Sequence, residues 1–66
     1  MNLIVNGENK TFISETTLKE IIVSLKIEDK VMAAAVNMEV VKKENWETFK
    51  PKENDKIELL QFVGGG

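Results

Sequence analysis

The chain has 66 residues, 42% of them hydrophobic, and a net charge of −2 from nine lysines and eleven acidic residues, which fits one small globular domain and argues against a nucleic-acid binder. Cysteine and histidine are both absent, so the composition excludes a disulfide scaffold, a cysteine or histidine zinc site, and a cysteine or histidine-activated nucleophile. No apolar run approaches the roughly 20 residues of a membrane span and no signal-peptide pattern is present, so we expect a cytoplasmic domain that binds no metal, membrane or nucleic acid.

An antiparallel hairpin is predicted at the start of the chain. Residues 1–5 alternate, with Leu3 and Val5 on the side opposite Ile4, and residues 10–13 form the return strand. Asn6 and Gly7 begin the connecting turn of residues 6–9, because both residues tolerate a positive φ.

One helix follows the hairpin. Thr17 and Glu20 have the spacing of a capping box, in which each side chain accepts a hydrogen bond from the backbone N–H of the other residue. The next apolar residues fall on one helical face: Leu18, Ile21, Ile22 and Leu25. This spacing predicts a helix of about ten residues that packs against a sheet.

The second half of the chain predicts further strands. Val31–Val36 is apolar with three alanines, and we interpret it as a central strand whose small side chains let the helix approach. A turn at residues 37–39 then leads to a short strand beginning at Val40.

The remaining residues predict an irregular segment and a last strand. Residues 42–54 have no clear period, and Trp46 and Phe49 are expected to anchor them to the core. Pro51 excludes a central strand there. Residues 57–63 form the last strand.

This order of elements matches an α+β domain with the β-grasp (ubiquitin-like) fold. We expect a mixed sheet of four to five strands, with one main helix packed across one face. The expected domain covers residues 1–63, and a flexible glycine tail, residues 64–66, follows it.

The glycine tail is the one segment suited to chemistry. Gly64, Gly65 and Gly66 have no side chains, so the segment could pass through a narrow channel. The α-carboxylate of Gly66, with an ordinary pKa near 3.5, would be ionised and able to attack the α-phosphorus of ATP. The bland alternatives are a frayed end or added glycines.

The last strand also offers a docking surface. Glu58 is expected to face water, and Leu60 and Phe62 share its side of the strand. Ile4 joins them if Leu3 and Val5 face the core. Exposed apolar side chains beside a reactive tail indicate partner docking; in the alternative, Phe62 folds over the sheet edge as part of the core.

The whole chain resembles the sulfur carrier proteins of thiamin biosynthesis, the ThiS family. The residues that carry the resemblance are Leu3-Ile4-Val5-Asn6-Gly7-Glu8, Thr17-Leu18-Lys19-Glu20-Ile21-Ile22, Val36-Asn37-x-Glu39-x-Val41, Trp46, Asp55-Lys56-Ile57-Glu58 and Phe62-Val63-Gly64-Gly65-Gly66. Met38, Lys42, Lys43 and Asn54 depart from the usual glycine, proline, arginine and glycine of this family, all in or near turns, and the chain has no arginine.

The resemblance implies a carrier that is a substrate of other enzymes. An E1-like adenylyltransferase would adenylate Gly66 with ATP, and sulfur from a donor such as a cysteine desulfurase would convert it to a thiocarboxylate for thiazole synthase. The carrier itself would bind no cofactor and would be a monomer when free. The alternatives left open are a molybdopterin-type sulfur carrier, a ubiquitin-like protein modifier, and an interaction domain with an inert tail.

Overall fold

A mixed sheet organises residues 1–62, the part of the chain that this computed structural model describes. Its five strands are β1 (Asn2–Val5), β2 (Glu8–Thr11), β3 (Val31–Val36), β4 (Glu39–Val41) and β5 (Lys56–Gln61). They lie in the order β2-β1-β5-β3-β4, and β1 and β5 are the parallel pair. Helix α1 (Leu18–Ser24) packs across one face, so the predicted sheet-and-helix arrangement is confirmed.

The predictions for the end of the chain fall partly outside the described residues. Val63, the expected last residue of the final strand, and the glycine tail of residues 64–66 lie there. The boundary between a domain over residues 1–63 and a tail therefore stays a prediction.

The opening hairpin is tighter than the sequence pattern indicated. Asn6 (φ 49°) and Gly7 (φ 82°) alone form the turn, and Val5 pairs directly with Glu8. Two consecutive positive φ values match the right-handed twist of the flanking strands. The return strand consequently begins at Glu8, two residues before the predicted position.

Helix α1 is held at its N-terminus by local and distant partners. Thr17 and Glu20 form the predicted capping box, with Oγ1 of Thr17 3.1 Å from the backbone N of Glu20, and Oε1 of Glu20 2.8 Å from the backbone N of Thr17. The helix has seven residues rather than about ten, because Lys26 adopts a left-handed φ of 60° that ends it.

The irregular segment satisfies the remaining N–H groups at the helix start. The backbone N–H groups of Leu18 and Lys19 donate to the carbonyls of Phe49 and Trp46, at 2.8 and 2.9 Å. Trp46 is 1% exposed, and its indole Nε1–H donates to the carbonyl of Val41 at 2.9 Å. The predicted anchoring role of Trp46 and Phe49 is confirmed, and it extends to capping the helix.

β3 is an internal strand of the sheet, as predicted, and lies between β5 and β4. The middle position of the five strands belongs to β5. β5 takes the centre because it pairs with β1 on one side and with β3 on the other.

Within residues 1–62, no helix is long and apolar enough to cross a bilayer, and the cytoplasmic location stays a prediction.

Candidate functional site

The sheet has one face covered by α1 and one open face. On β5, Ile57 and Leu59 point into the core, at 1% and 7% exposure, whereas Leu60 and Phe62 are each 62% exposed on the other face. The alternation predicted for the last strand is therefore correct. Phe62 does not fold over the edge to join the core.

Ile4 lies on the same open face but away from Leu60. It is half-buried and stands opposite Lys56 in the parallel pairing of β1 with β5. Leu60 is four residues further along β5, about 13 Å at the rise of a strand. A partner that contacts both side chains must therefore cover much of the open face.

Sequence reasoning missed two large exposed side chains on neighbouring strands. Met32 is 61% exposed and Val40 is 74% exposed. An irregularity in the pairing of β3 with β5, between Val31 and Ala33, turns Met32 outward. We call Ile4, Met32, Val40, Leu60 and Phe62 the apolar face.

The alanines of β3 shape a depression within the apolar face. Ala34 is buried in the core, but Ala33 and Ala35 pair with Leu60 and Glu58 and share their outward side. Their small side chains floor an open depression of about 370 Å³ that Val40 and Leu60 also line. Alternation along a strand was the available signal, since it requires the three alanines to be divided between the two faces; the irregularity between Val31 and Ala33 decides that Ala34 is the inward one.

Charge is sparse on the apolar face. Glu58 is exposed opposite Ala35, two residues before Leu60, and among the described residues it joins no ion pair. A larger open cavity of about 850 Å³ lies beside β4, where Val40, Lys42, Lys52 and Asp55 are among the residues that line it. Residues 1–62 contain no group of three or more acidic residues placed to hold a metal ion.

Two residues from distant parts of the chain hold the end of β5. The backbone N–H of Phe62 donates to the carbonyl of Lys30 at 2.6 Å. On the other edge, Oδ1 of Asn6 accepts from the backbone N–H of Leu59 at 2.8 Å. The apolar face therefore stands on fixed backbone directly before residue 63, while Gly64, Gly65 and Gly66 lie beyond the described part.

Comparison with known proteins gives one consistent result. A family model described as the ThiS family matches residues 3–66. The sulfur carrier protein ThiS of Bacillus subtilis (strain 168) is 31% identical over 65 residues, which cover 97% of this chain and 98% of that protein. A thiazole synthase of Paramagnetospirillum magneticum is 30% identical over all of this chain, which spans only 20% of that protein's length.

Solved structures agree on the fold over the whole chain. A crystal structure of the thiamine biosynthesis protein ThiS from Geobacter metallireducens superposes with a TM-score of 0.79 and 34% identity, covering all of both chains. A solution structure of a thiamine biosynthesis protein from the same organism gives a TM-score of 0.77 and 32% identity, covering 88% of that chain. The predicted β-grasp fold is thus confirmed, and the chain belongs to the ThiS family, the small sulfur carrier proteins of thiamin biosynthesis.

Proposed function

We propose that this protein carries sulfur as a thiocarboxylate on Gly66 and delivers it for thiazole formation. Membership of the ThiS family supports the carrier role. The observation that carries the proposal is the pair of exposed side chains, Leu60 and Phe62, at the end of β5 and with only Val63 between them and three consecutive glycines. An apolar docking surface beside a slim, reactive segment suits a protein that other enzymes modify.

The chemistry uses the α-carboxylate of Gly66. One carboxylate oxygen attacks the α-phosphorus of ATP on an E1-like adenylyltransferase, and pyrophosphate leaves. A sulfur nucleophile then attacks the acyl carbon of the adenylate, and AMP leaves. When the donor is a persulfide, such as that of a cysteine desulfurase, a thiol must reduce the resulting acyl disulfide to release the thiocarboxylate.

The carrier contributes no acid–base or nucleophilic side chain to these steps. The chain has neither histidine nor cysteine, so proton transfer and nucleophile activation fall to the partner enzymes. Its own contributions are a rigid sheet, a docking surface and a segment without side chains at residues 64–66. The protein is accordingly a substrate of its partners rather than an enzyme.

Docking would use the apolar face next to the end of β5. Leu60 and Phe62 form its part nearest to residue 63, and Met32 stands on the neighbouring strand. Ile4 lies further along the sheet and would be reached only by a partner with a wide footprint. Burial of these side chains in an enzyme groove would stabilise the complex and orient the glycine segment toward the reacting groups.

Thiazole synthase is the acceptor enzyme that the comparisons favour. A segment similar to this whole chain occupies a fifth of a protein named thiazole synthase in Paramagnetospirillum magneticum. A carrier-like segment and a synthase on one polypeptide are expected when the two act on the same sulfur. The separate chain would meet the synthase through the same apolar face.

Mass spectrometry of the intact protein tests the proposal. The untagged chain is incubated with ATP, the adenylyltransferase of its source organism and a sulfur donor. We expect an increase equal to the replacement of one oxygen by sulfur, localised to Gly66, and no change in a variant that lacks Gly66. Modification of that variant would contradict the proposal, and isopeptide adducts on lysines would instead support a protein modifier.

A further inference from the structure

One edge of β5 is left uncovered at the centre of the sheet, and we propose that an extended segment of the activating enzyme adds to the sheet there. The identity of this partner rests on the proposed function. The position of the site rests on the hydrogen bonding of the sheet alone. The site is the backbone of residues 59–61 on the side that faces away from β3, here called the open edge.

The two sides of β5 are paired to different lengths. On one side, pairing with β3 continues from Ile57 to Gln61, and Phe62 adds one more backbone hydrogen bond, to Lys30. On the other side, pairing with β1 covers only Lys56 and Ile57. The last residues of the strand therefore have a neighbouring strand on one side only.

Asn6 ends the pairing on the short side. Its backbone N–H donates to the carbonyl of Ile57 at 2.9 Å, and its side-chain Oδ1 accepts from the N–H of Leu59 at 2.8 Å. With its φ of 49° it then turns the chain away into β2. The side-chain amide thus takes the place of one more strand residue, and β1 covers nothing beyond it.

Gln61 provides the unused donor of the open edge. Successive N–H groups of a strand point to opposite sides, and the N–H of Phe62 points toward β3. The N–H of Gln61 therefore points to the open edge, where no hydrogen bond from residues 1–62 reaches it. Unpaired backbone groups on a strand edge are a ready template for an added strand.

The surroundings of the open edge favour an enzyme segment over a second copy of this chain. Three residues of backbone are too short for a stable dimer on their own. They suit a transient complex in which Leu60 and Phe62, exposed beside the open edge, supply the apolar contacts. Residues 60–62 carry no charge, so the added segment should be uncharged, with an apolar side chain facing Phe62.

Strand addition at this place would also align the reacting group. Residues 59–61 are followed by only two residues before the glycine segment begins, so backbone pairing would hold the chain in place shortly before the reacting residue. Holding a reacting group in position can contribute a large rate increase. Binding of the carrier to the activating enzyme would therefore depend on two surfaces: the apolar face, which supplies contact area, and the open edge, which positions the chain for adenylation.

The substitution Gln61→Pro tests the open edge. Proline removes the N–H that points away from the sheet, and its ring blocks an approaching strand. Within a sheet, proline is tolerated where the N–H side of the strand has no neighbour, as at Gln61. The matched control is Gln61→Ala, which removes the side chain and keeps the N–H. Circular dichroism and thermal unfolding establish that both variants fold.

The readout is ATP–pyrophosphate exchange by the adenylyltransferase as a function of carrier concentration. We expect Gln61→Pro to raise the KM for the carrier about three- to tenfold, the effect of one lost hydrogen bond, and Gln61→Ala to change it less than about twofold. Equal KM values for the two variants would overturn the open edge and leave the proposed function standing. No exchange with the wild-type chain would overturn both.

Two further measurements keep the inference testable. If Gln61→Pro does not fold, the chain can be made by total synthesis with an ester in place of the backbone amide between Leu60 and Gln61. This replacement removes the same N–H without adding a ring. The ester chain must show the same rise in KM, and an unchanged KM would overturn the inference. Sedimentation of the wild-type chain checks for self-association, since a dimer that Gln61→Pro abolishes would assign the open edge to a second copy and refute the enzyme segment.

Discussion

The sharpest test of the apolar face is the substitution Phe62→Ala. Phe62 is 62% exposed, so of the roughly 200 Å² that a phenylalanine side chain can bury, about 120 Å² remains for a partner to cover. At about 25 cal/mol per Å², complete burial of that area contributes about 3 kcal/mol. Because binding recovers only part of such area, we expect a loss of about 1–2 kcal/mol, or a Kd about 5- to 30-fold higher.

The assay is calorimetric titration of the adenylyltransferase with the carrier in the absence of ATP, so that binding is separated from chemistry. Urea unfolding accompanies it, because the covered remainder of the side chain can contribute up to about 2 kcal/mol to stability. Titrations are made under conditions where both proteins are folded.

The chain offers a matched control for this prediction. Met38 is more exposed than Phe62, at 89%, but it follows Asn37, whose N–H bonds the carbonyl of Lys56 at the other end of β5. That end is six residues from Phe62, about 20 Å along the strand. Met38→Ala should leave the Kd within about twofold, and an unchanged Kd for Phe62→Ala, or an equal loss for Met38→Ala, would refute the apolar face as the docking surface.

Three further predictions concern stability and are measured by urea unfolding. Trp46→Phe removes the donor to the buried carbonyl of Val41 and should lower the free energy of unfolding by about 1–3 kcal/mol; no change would contradict the anchoring role. Met38→Gly relieves a left-handed φ of 71° and should raise stability by up to about 1 kcal/mol, whereas a loss would show that the turn carries no strain. Thr17→Ala breaks the capping box with Glu20 and should cost about 1 kcal/mol; Thr17→Ser is the control that should keep most of it.

Local signals explain the parts of the fold that were predicted correctly. Three features each depend on residues only a few positions apart: the Asn6-Gly7 turn, the capping box of Thr17 with Glu20, and the buried hydrophobic side of α1. Steric limits on φ and short-range hydrogen bonds decide such features before the chain has a tertiary structure. The alternation of the last strand follows from the same local geometry.

Features that depend on distant residues were missed or misplaced. The parallel pairing of Ile4 with Lys56 joins residues at opposite ends of the chain, and no local pattern indicates that it makes β5 the central strand. The outward position of Met32 depends on an irregular register against β5. The helix ends early at a left-handed Lys26, a conformation that sequence spacing does not reveal.

The sequence by itself determined which chemistry we propose for this protein. The absence of cysteine and histidine and the three glycines at positions 64–66 are the features from which Gly66 was proposed as the reacting residue. The outward positions of Leu60 and Phe62 followed from alternation along the last strand, whereas only the tertiary structure decided what lies beside that strand. The turn at Asn6 takes β1 away from β5 after Leu59 and leaves the rest of the strand without a neighbour on that side, because a strand can be covered only as far as its neighbours extend.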